Sequence, residues 1–290
     1  MLELEAQLKH ILWNLPFLKP NLTDEEELLF QKDRECYYCE RGFNLFNLDG
    51  KLEPKVRDHC HLSGKYRGAA HNTCNLNAKQ HNQIPVVFHN LSHYDGKFIA
   101  QGFSRVCNYK IDVVPKSYEE YISFTIRSLK FIDSYRFLGC SLDAATEAMV
   151  DEDRKILRKE FPDDDIFNMM KHKGECPYEA TENHSYYDII EPSPKEDFYS
   201  TLKRKGLSER RHNRYLDVFN KTGCRNRGDY NDKYCLQDVL NLADCFEKFR
   251  ENSLKKENYG IDPCYYMSTP GLTWDCGLKY TKVRLELLRL

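Results

Sequence analysis

Long apolar runs and a strong net charge are both missing from this chain of 290 residues. No stretch is long and apolar enough to span a bilayer, and residues 1–12 are charged, without the apolar core of a secretory signal peptide. We therefore expect an intracellular protein without a membrane partner. The net charge is −2, which excludes a basic field over the whole chain. DNA contacts must then come from local patches such as Lys203-Arg-Lys205 or Arg210-Arg211.

An export signal is also missing, and this changes how the twelve cysteines are interpreted. In a small secreted protein they would predict a disulfide scaffold, whereas in a long intracellular chain they predict reduced thiols and metal ligands. Most of them are scattered singly, but those between residues 36 and 74 are clustered. The same region begins a cluster of six of the ten histidines: His59, His61, His71, His81, His89 and His93.

Two short pairs, Cys36-Tyr-Tyr-Cys39 and His71-Asn-Thr-Cys74, have the spacing of zinc knuckles. Structural zinc is tetrahedral and takes thiolate and imidazole ligands, and two close pairs separated by a spacer supply four of them. The sequence therefore predicts a structural Zn²⁺ site on Cys36, Cys39, His71 and Cys74.

A second polar cluster, Asp58-His59-Cys60-His61, lies between the two pairs, and Asn75 follows the last cysteine. Oxygens of Asp58 and Asn75 can hold Mg²⁺ or Mn²⁺, and a neutral His59 can take a proton from an attacking water. We expect a strand over Asp58, a second strand after the turn at Gly64, and Asn75 in the following helix. The alternative from the residues alone is that Asp58 and His59 merely support a zinc-stabilised DNA-binding knuckle.

A third constellation combines Asn90-Leu-Ser-His-Tyr94-Asp95, after a predicted strand at 84–90, with Tyr234-Cys-Leu-Gln-Asp238 on a predicted helix at 229–250. Two-metal nucleases hold their ions with carboxylates from several segments. A Tyr four residues before an Asp shares a helix face with it and can orient the attacking water. Together the two segments predict a second site for divalent metal.

The elements expected between these sites indicate an α/β (α+β) fold. Strands are predicted at 110–114, 121–126 and 129–133, helices at 144–159 and 208–219, and mostly loop at 161–195. Four regions follow: a helical arm or linker at 1–33, the Cys/His module at 34–82, a larger domain at 83–250, and a C-terminal segment at 251–290 with a Thr-Pro-Gly turn and a short helix.

The Cys/His module resembles a known nuclease family over Arg-Asp58-His59-Cys-His61-x-x-Gly64-Lys-x-Arg67-Gly68-x-x-His71-x-x-Cys74-Asn75. This pattern looks like the endonuclease VII branch of the HNH, or ββα-metal (treble-clef), nucleases. The resemblance implies that Asp58 and Asn75 bind the catalytic metal, that His59 is the general base and that His61 supports it. The departure is His71, where the family more often has Cys.

The rest of the chain resembles family B DNA polymerases of the protein-primed kind found in viruses, linear plasmids and mobile elements. The segments that carry this resemblance are IPVVFHNLSHYDGKFI, FIDSYRFLGCSLD, GDYNDKYCLQDVLNLADCFEKFR and IDPCYYMSTPGLTWDCGLKYT. The resemblance implies a partial RNase H-like 3′–5′ exonuclease domain with the zinc module inserted. Asn90 and Asp95 would belong to its second motif, Tyr234 and Asp238 to its third, and Asp95 and Asp238 would bind Mg²⁺ or Mn²⁺. Ser141-Leu142 would contact the primer strand.

Two features of such polymerases are not found. The first exonuclease motif is Asp-x-Glu on an apolar strand, and neither Asp24-Glu-Glu26 nor Asp33-Arg-Glu35 lies on one. After Trp274 the only Asp is Asp275, so no palm motif follows. We expect a fragment, with 251–290 starting the connection to a palm, that alone neither polymerises nor proofreads. Expected partners are DNA and the remainder of a polymerase or a terminal protein. The alternatives are an HNH endonuclease for branched or nicked DNA and an inactive DNA-binding remnant.

Overall fold

The computed structural model describes residues 2–14, 22–44, 46, 50–60, 64–77, 83–106, 110–117, 120–255, 258–283 and 285. The chain divides into two compact units, unit 1 at Met1–Ile84 and unit 2 at Pro85–Leu290. The helices within the described ranges are α1 (Leu2–Asn14), α2 (Asp24–Lys32), α3 (Asn72–Asn77), α4 (Asp95–Val106), α5 (Tyr135–Leu138), α6 (Leu142–Glu147), α7 (Lys155–Glu160), α8 (Asp164–Met170), α9 (Glu209–Lys221), α10 (Arg227–Leu254) and α11 (Thr269–Thr281). The strands are β1 (Lys55–His59), β2 (Tyr66–His71), β3 (Ile84–Phe88), β4 (Ile111–Pro115), β5 (Tyr121–Ile126) and β6 (Leu129–Asp133). The mixed α/β class predicted from the sequence is confirmed.

Unit 1 contains a ββα arrangement. Strands β1 and β2 pair antiparallel, with Asp58 opposite Gly68 and a bulge between Asp58 and His59. Gly68 is required at its position because a Cβ there would lie 2.9 Å from the Cβ of Tyr37. Helix α3 follows β2 directly. The first turn of α3 is capped by Glu53, which accepts a hydrogen bond of 2.7 Å from the Thr73 N–H. The chain order thus gives two strands and a helix beside the Cys/His pairs.

Helix α2 packs on this hairpin. Its start is a capping box, in which Thr23 and Glu26 each bond the other's backbone N–H. Its buried Phe30 lies under two cations of β1, with Arg57 4.0 Å and Lys55 4.5 Å from the ring centre. Asp24 and Glu26 therefore lie on a capped helix, not on a strand.

Unit 2 contains a four-stranded sheet in the order β3-β6-β5-β4. Pairs β4–β5 and β5–β6 are antiparallel, and the β5–β6 turn places Arg127 in the left-handed region at φ 57°. All five residues of β6 are buried because strands flank it on both sides. Phe124 on β5 stacks on Phe131 of β6 with ring centres 4.5 Å apart. An acidic residue that ends β6, Asp133, is therefore held deep in the sheet.

Two apolar clusters stabilise unit 2. One joins helices α7 to α10 and buries Leu157, Phe161, Phe167, Met170, Phe198, Tyr215, Val218, Phe219, Tyr230 and Tyr234. The other joins the end of β6 to α10 and α11 and buries Ile132, Phe137, Phe246, Cys264, Leu272 and Cys276. The 28-residue helix α10 contributes buried residues to both clusters and so connects them. Among the described residues no helix is long and apolar enough to cross a bilayer.

Three predicted elements differ in the structure. The helix predicted at 144–159 is two helices, α6 and α7, because the buried Arg154 donates to the Thr146 and Met149 carbonyls in the break between them. The loop predicted at 161–195 contains α8, which starts where Asp163 caps the Ile166 N–H at 3.0 Å. The Thr-Pro-Gly segment is not a turn before the last helix but its first residues, since Pro is well placed in a first turn.

Candidate functional site

The four predicted zinc ligands lie together. The ligand atoms of Cys36, Cys39, His71 and Cys74 are all within 4.8 Å of one another. The Nδ1 of His71 is 3.4 Å from the Cys39 Sγ and 3.9 Å from the Cys74 Sγ. Tetrahedral zinc with ligands at about 2.0–2.3 Å requires separations of about 3.5 Å between them, so the group can hold a zinc ion.

The surroundings of His71 fix which nitrogen faces the thiols. Its Nε2 lies 3.2 Å from the Gly42 carbonyl oxygen, which favours a proton on Nε2 and leaves Nδ1 as the ligand. Its backbone N–H donates to the Cys36 Sγ at 3.4 Å. Burial, together with the neighbouring Cys39 and Cys36, raises the pKa of the Cys74 thiol to about 12. Thiols bind metal as thiolates, so zinc binding here is coupled to proton release.

Asp58 is held by two neighbours. Arg67 donates to both carboxylate oxygens at 2.8 Å, and the Tyr38 hydroxyl donates to Oδ2 at 2.9 Å. The bulge in β1–β2 places Arg67 beside Asp58, whose side chain is only 1% exposed. Burial and the bond to Asp58 raise the pKa of Tyr38, so it remains a donor. In this arrangement Asp58 has a cation already, and the residues do not fit a divalent metal at Asp58 unless Arg67 releases it.

Of the three other residues predicted for this site, the structure describes His59 and Asn75. His59 follows Asp58 on β1, and its Nδ1 lies 3.5 Å from the Arg57 carbonyl oxygen, which favours Nε2 as the unprotonated nitrogen. Asn75 lies on α3, half-buried. His61 lies outside the described residues. Their catalytic roles stay predictions.

The Asn90–Asp95 segment is a loop organised by Asp133. The carboxylate of Asp133 accepts from the N–H of Asn90 at 2.8 Å and from the N–H and hydroxyl of Ser92 at 3.2 Å. Asn90 is in the left-handed region at φ 65°, which Asn tolerates better than most residues. Asp95 begins α4 directly after this loop. Asp133 was not predicted from the sequence as a site residue, although its position at the end of an apolar strand could have indicated it.

Tyr234 and Asp238 lie one turn apart on α10 and share a basic neighbour. The Lys173 Nζ is 2.6 Å from Asp238 Oδ2 and 3.4 Å from the Tyr234 hydroxyl. The Gly174 N–H donates to Asp238 Oδ1 at 3.4 Å, and the Tyr178 hydroxyl bonds that of Tyr234. The pKa of Lys173 is raised even though burial opposes it, because Asp238 stabilises the charged form. Lys173 and Tyr178 were not identified from the sequence, since nothing in the spacing of residues 161–195 indicated them.

Electrostatics links the two segments of this constellation. Burial lowers the pKa of His89, and the charges of Asp133, Lys173 and Asp238 all act on it. Burial and the charge of Asp133 raise the pKa of Asp95. Asp133 thus acts electrostatically on both His89 and Asp95, and Asp238 of α10 acts on His89.

Comparison with protein families identifies the chain. The model of organellar and viral type B DNA polymerases matches residues 74–276, which is more than two thirds of the sequence. The chain belongs to the type B DNA polymerases. No curated protein and no solved structure matches it.

Membership of the type B DNA polymerases implies DNA as a partner and a nucleotidyltransferase family, and it confirms the resemblance to family B DNA polymerases. The match takes in Asn90, Asp95, Tyr234 and Asp238 but begins only at Cys74, so it does not extend over Asp58 and His59. Polymerases of this family use divalent metals. Asp95 is a partly buried carboxylate at the start of α4, and carboxylates are the ligands that Mg²⁺ and Mn²⁺ prefer. Its residue type therefore suits a divalent metal, whereas Asp238 is paired with Lys173, and metal binding at both positions stays a prediction.

Ser141-Leu142 has a structural role in this polymerase chain. Ser141 caps α6 by accepting from the Ala144 N–H at 3.3 Å, and Leu142 is buried. Contact of this pair with a primer strand stays a prediction.

Proposed function

We propose that this chain is the DNA-handling exonuclease region of a type B polymerase. Residues 83–250 form a partial RNase H-like 3′–5′ exonuclease domain, and residues 34–82 form an HNH-type zinc module. Residues 1–33 form a helical arm or linker, and residues 251–290 start the connection to a polymerase palm. Asn90, Asp95, Tyr234 and Asp238 hold the 3′ end of a DNA strand, with Mg²⁺ or Mn²⁺ on Asp95 and Asp238. Such a metal would stabilise the charge on the scissile phosphate.

Two observations carry this proposal: Asp133 holds the loop that leads to Asp95 through the Asn90 and Ser92 N–H groups, and Lys173 holds the Tyr234–Asp238 pair on α10. Metal-assisted phosphodiester chemistry uses carboxylates that come from separate segments of a chain. Lys173 holds Asp238 in place by an ion pair, and the Tyr234 hydroxyl faces the same side of α10. We expect no proofreading from this chain alone, since the sequence offers no strand-borne Asp-x-Glu, and no nucleotide incorporation, since the proposed region is the exonuclease and not the palm.

Binding of single-stranded DNA by the full chain tests the proposal. With Ca²⁺ to support binding, we expect the anisotropy of a labelled oligonucleotide to rise, and Asp95→Asn or Asp238→Asn to weaken binding about tenfold, equivalent to about 1.4 kcal/mol. Asp112→Asn, an exposed acid on β4, is the matched control and should not change it. Equal affinity of all four proteins, or nucleotide incorporation on a primed template, would contradict the proposal.

A second candidate function is metal-dependent cleavage of branched or nicked DNA by the zinc module. The ββα arrangement favours it, because Asp58 and His59 lie side by side on β1 and Asn75 lies on α3. We expect Mg²⁺-dependent cleavage of a branched substrate that His59→Ala abolishes and that His93→Ala, in unit 2, leaves unchanged. Absence of cleavage by the wild type would leave the module as a zinc-folded DNA-binding remnant, with Arg67 in the place of a metal at Asp58.

A further inference from the structure

An exposed hairpin of unit 2 projects between the 3-10 turn at Lys195–Phe198 and α9. Ser200 and Lys205 exchange backbone hydrogen bonds of 3.0 and 3.3 Å, which closes the hairpin and exposes the four residues between them. Leu202 is 90% exposed, and Arg204 is in the left-handed region at φ 50°. An apolar side chain this exposed on a closed turn suits contact with a partner.

The hairpin is also basic. Among the described residues, no acidic side chain pairs with Lys203, Arg204, Lys205 or the nearby Arg210, and all four are exposed. Two arginines that follow, Arg211 and Arg214, are paired instead, since both bond Glu175. The nearest acid along the chain, Glu209, is paired with Lys195 at 2.6 Å. Although the net charge of the chain is −2, these four residues carry positive charge that no acid among the described residues neutralises.

The hairpin is fixed to the candidate nuclease site. Glu179 accepts from the Thr201 N–H at 2.7 Å and from its hydroxyl at 3.1 Å. The residue before it, Tyr178, bonds the Tyr234 hydroxyl on α10. Burial lowers the pKa of His172, next to Lys173, and Arg214, Lys171, Arg154 and Arg210 lower it further. Glu179 and the adjacent Tyr178 thus link the hairpin to the Tyr234 turn of α10.

We propose that the basic hairpin, Ser200–Lys205 with Arg210, binds the phosphates of a DNA strand and guides it toward Tyr234 and Asp238. Unpaired Lys and Arg are the groups that neutralise phosphates, and their release of counterions makes binding depend on salt. Leu202 contacts a base face at the tip. This inference rests on the proposed exonuclease-type function, because DNA is chosen over an anionic lipid surface for its continuity with that site.

Charge reversal of the hairpin tests the inference in the full chain. We expect the triple variant K203E/R204E/K205E to bind a single-stranded oligonucleotide at least tenfold more weakly at low salt. The slope of log Kd against log salt should fall by about two, as three phosphate contacts of about 0.7 each are lost. The matched control K110E/K159E/K221E changes the same charge at exposed lysines elsewhere in unit 2, and its slope should stay that of the wild type. A milder variant, K203Q/R204Q/K205Q, should lose part of the affinity, and the melting temperature of each variant verifies its folding.

The outcomes separate this inference from the function it rests on. If Asp238→Asn weakens binding while the hairpin variants bind like the wild type, the hairpin assignment is wrong and the proposed site stands. If the control triple weakens binding as much as the hairpin triple, the contact is nonspecific and the inference is overturned. Absence of any DNA binding by the wild type, or binding of anionic vesicles alone, overturns both.

Discussion

Asp58 and Asp238 share an unexpected feature, since each carboxylate lies against a basic side chain. Arg67 bonds Asp58 from the neighbouring strand, and Lys173 bonds Asp238 from a loop 65 positions earlier in the chain. Residue types and spacing predicted both acids as metal ligands but could not predict these partners, which meet them only through a bulge and through packing on α10. At both positions a metal must compete with a cation of the protein.

The pair at Asp58 predicts a stability difference between two arginines of the hairpin. Arg67→Ala should lower the free energy of unfolding of unit 1 by about 1–3 kcal/mol, because it leaves the buried Asp58 without its bidentate donor. Arg57→Ala removes an exposed bond to Glu27 and the contact with the Phe30 ring, and it should cost less because it leaves no buried charge unpaired. Chemical unfolding of both variants checks this order, and an equal loss would show that Arg67 does not hold Asp58 in solution.

Asp95 predicts a pH dependence. Burial and the charge of Asp133 raise its pKa above the value of about 3.9 in an unfolded chain, so the folded state holds the proton more tightly. Its ionisation therefore costs no stability below about pH 4, and the cost grows as pH rises through the folded pKa. Asp95→Asn should therefore raise the free energy of unfolding at pH 7 and leave it unchanged well below pH 4. An equal increase in the free energy of unfolding at both pH values, measured by urea unfolding, would refute this.

At the scale of elements, local patterns predicted most of the strands and the long helices. The strands predicted at 121–126 and 129–133 match β5 and β6. The helix predicted at 208–219 starts one residue before α9, and the helix predicted at 229–250 lies inside α10. The break between α6 and α7 was not predictable, because it depends on Arg154 bonding the Thr146 and Met149 carbonyls and on Asp244 of α10 capping α7. Tertiary partners, not propensity, end those helices.

The approach of Gly174 to α10 predicts contrasting effects of two Gly→Ala changes. A Cβ on Gly174 would lie 2.5 Å from the Tyr234 ring, so Gly174→Ala should cost about 1–3 kcal/mol by overpacking and displace Tyr234. A Cβ on Gly277, inside α11, meets open space, so Gly277→Ala should stabilise by about 0.5–1 kcal/mol. Thermal unfolding measures both, and a neutral Gly174→Ala would mean that the loop and α10 are not in contact.

At the scale of the molecule, the candidate chemistry is divided between the two units, each with its own stabilising contacts. All four zinc ligands belong to unit 1, and both large apolar clusters belong to unit 2. The family match lies mostly in unit 2. The zinc spacing was predictable because its ligands are close in sequence, whereas the neighbourhood of Asp95, Asp133 and Asp238 depends on the fold.

Zinc removal should therefore act on one unit. We expect one zinc per chain, lost in Cys36→Ser and retained in Cys60→Ser, whose thiol lies in the same module but outside the group of four ligands. Chelation should increase amide exchange over residues 36–77 and leave α9 and α10 protected. Retention of zinc by Cys36→Ser, or unchanged exchange after chelation, would contradict the assignment.

Cross-linking from the 3′ end of a DNA strand tests most directly whether unit 2 binds DNA as proposed. A single-stranded oligonucleotide with a photoreactive 3′-terminal nucleotide is irradiated with the full chain in Ca²⁺, and the linked peptides are identified by mass spectrometry. We predict adducts within residues 89–95, 173–178 or 234–238, which Asp238→Asn reduces and Asp112→Asn does not. Adducts confined to other surfaces, or adducts unaffected by Asp238→Asn, would contradict the proposed site.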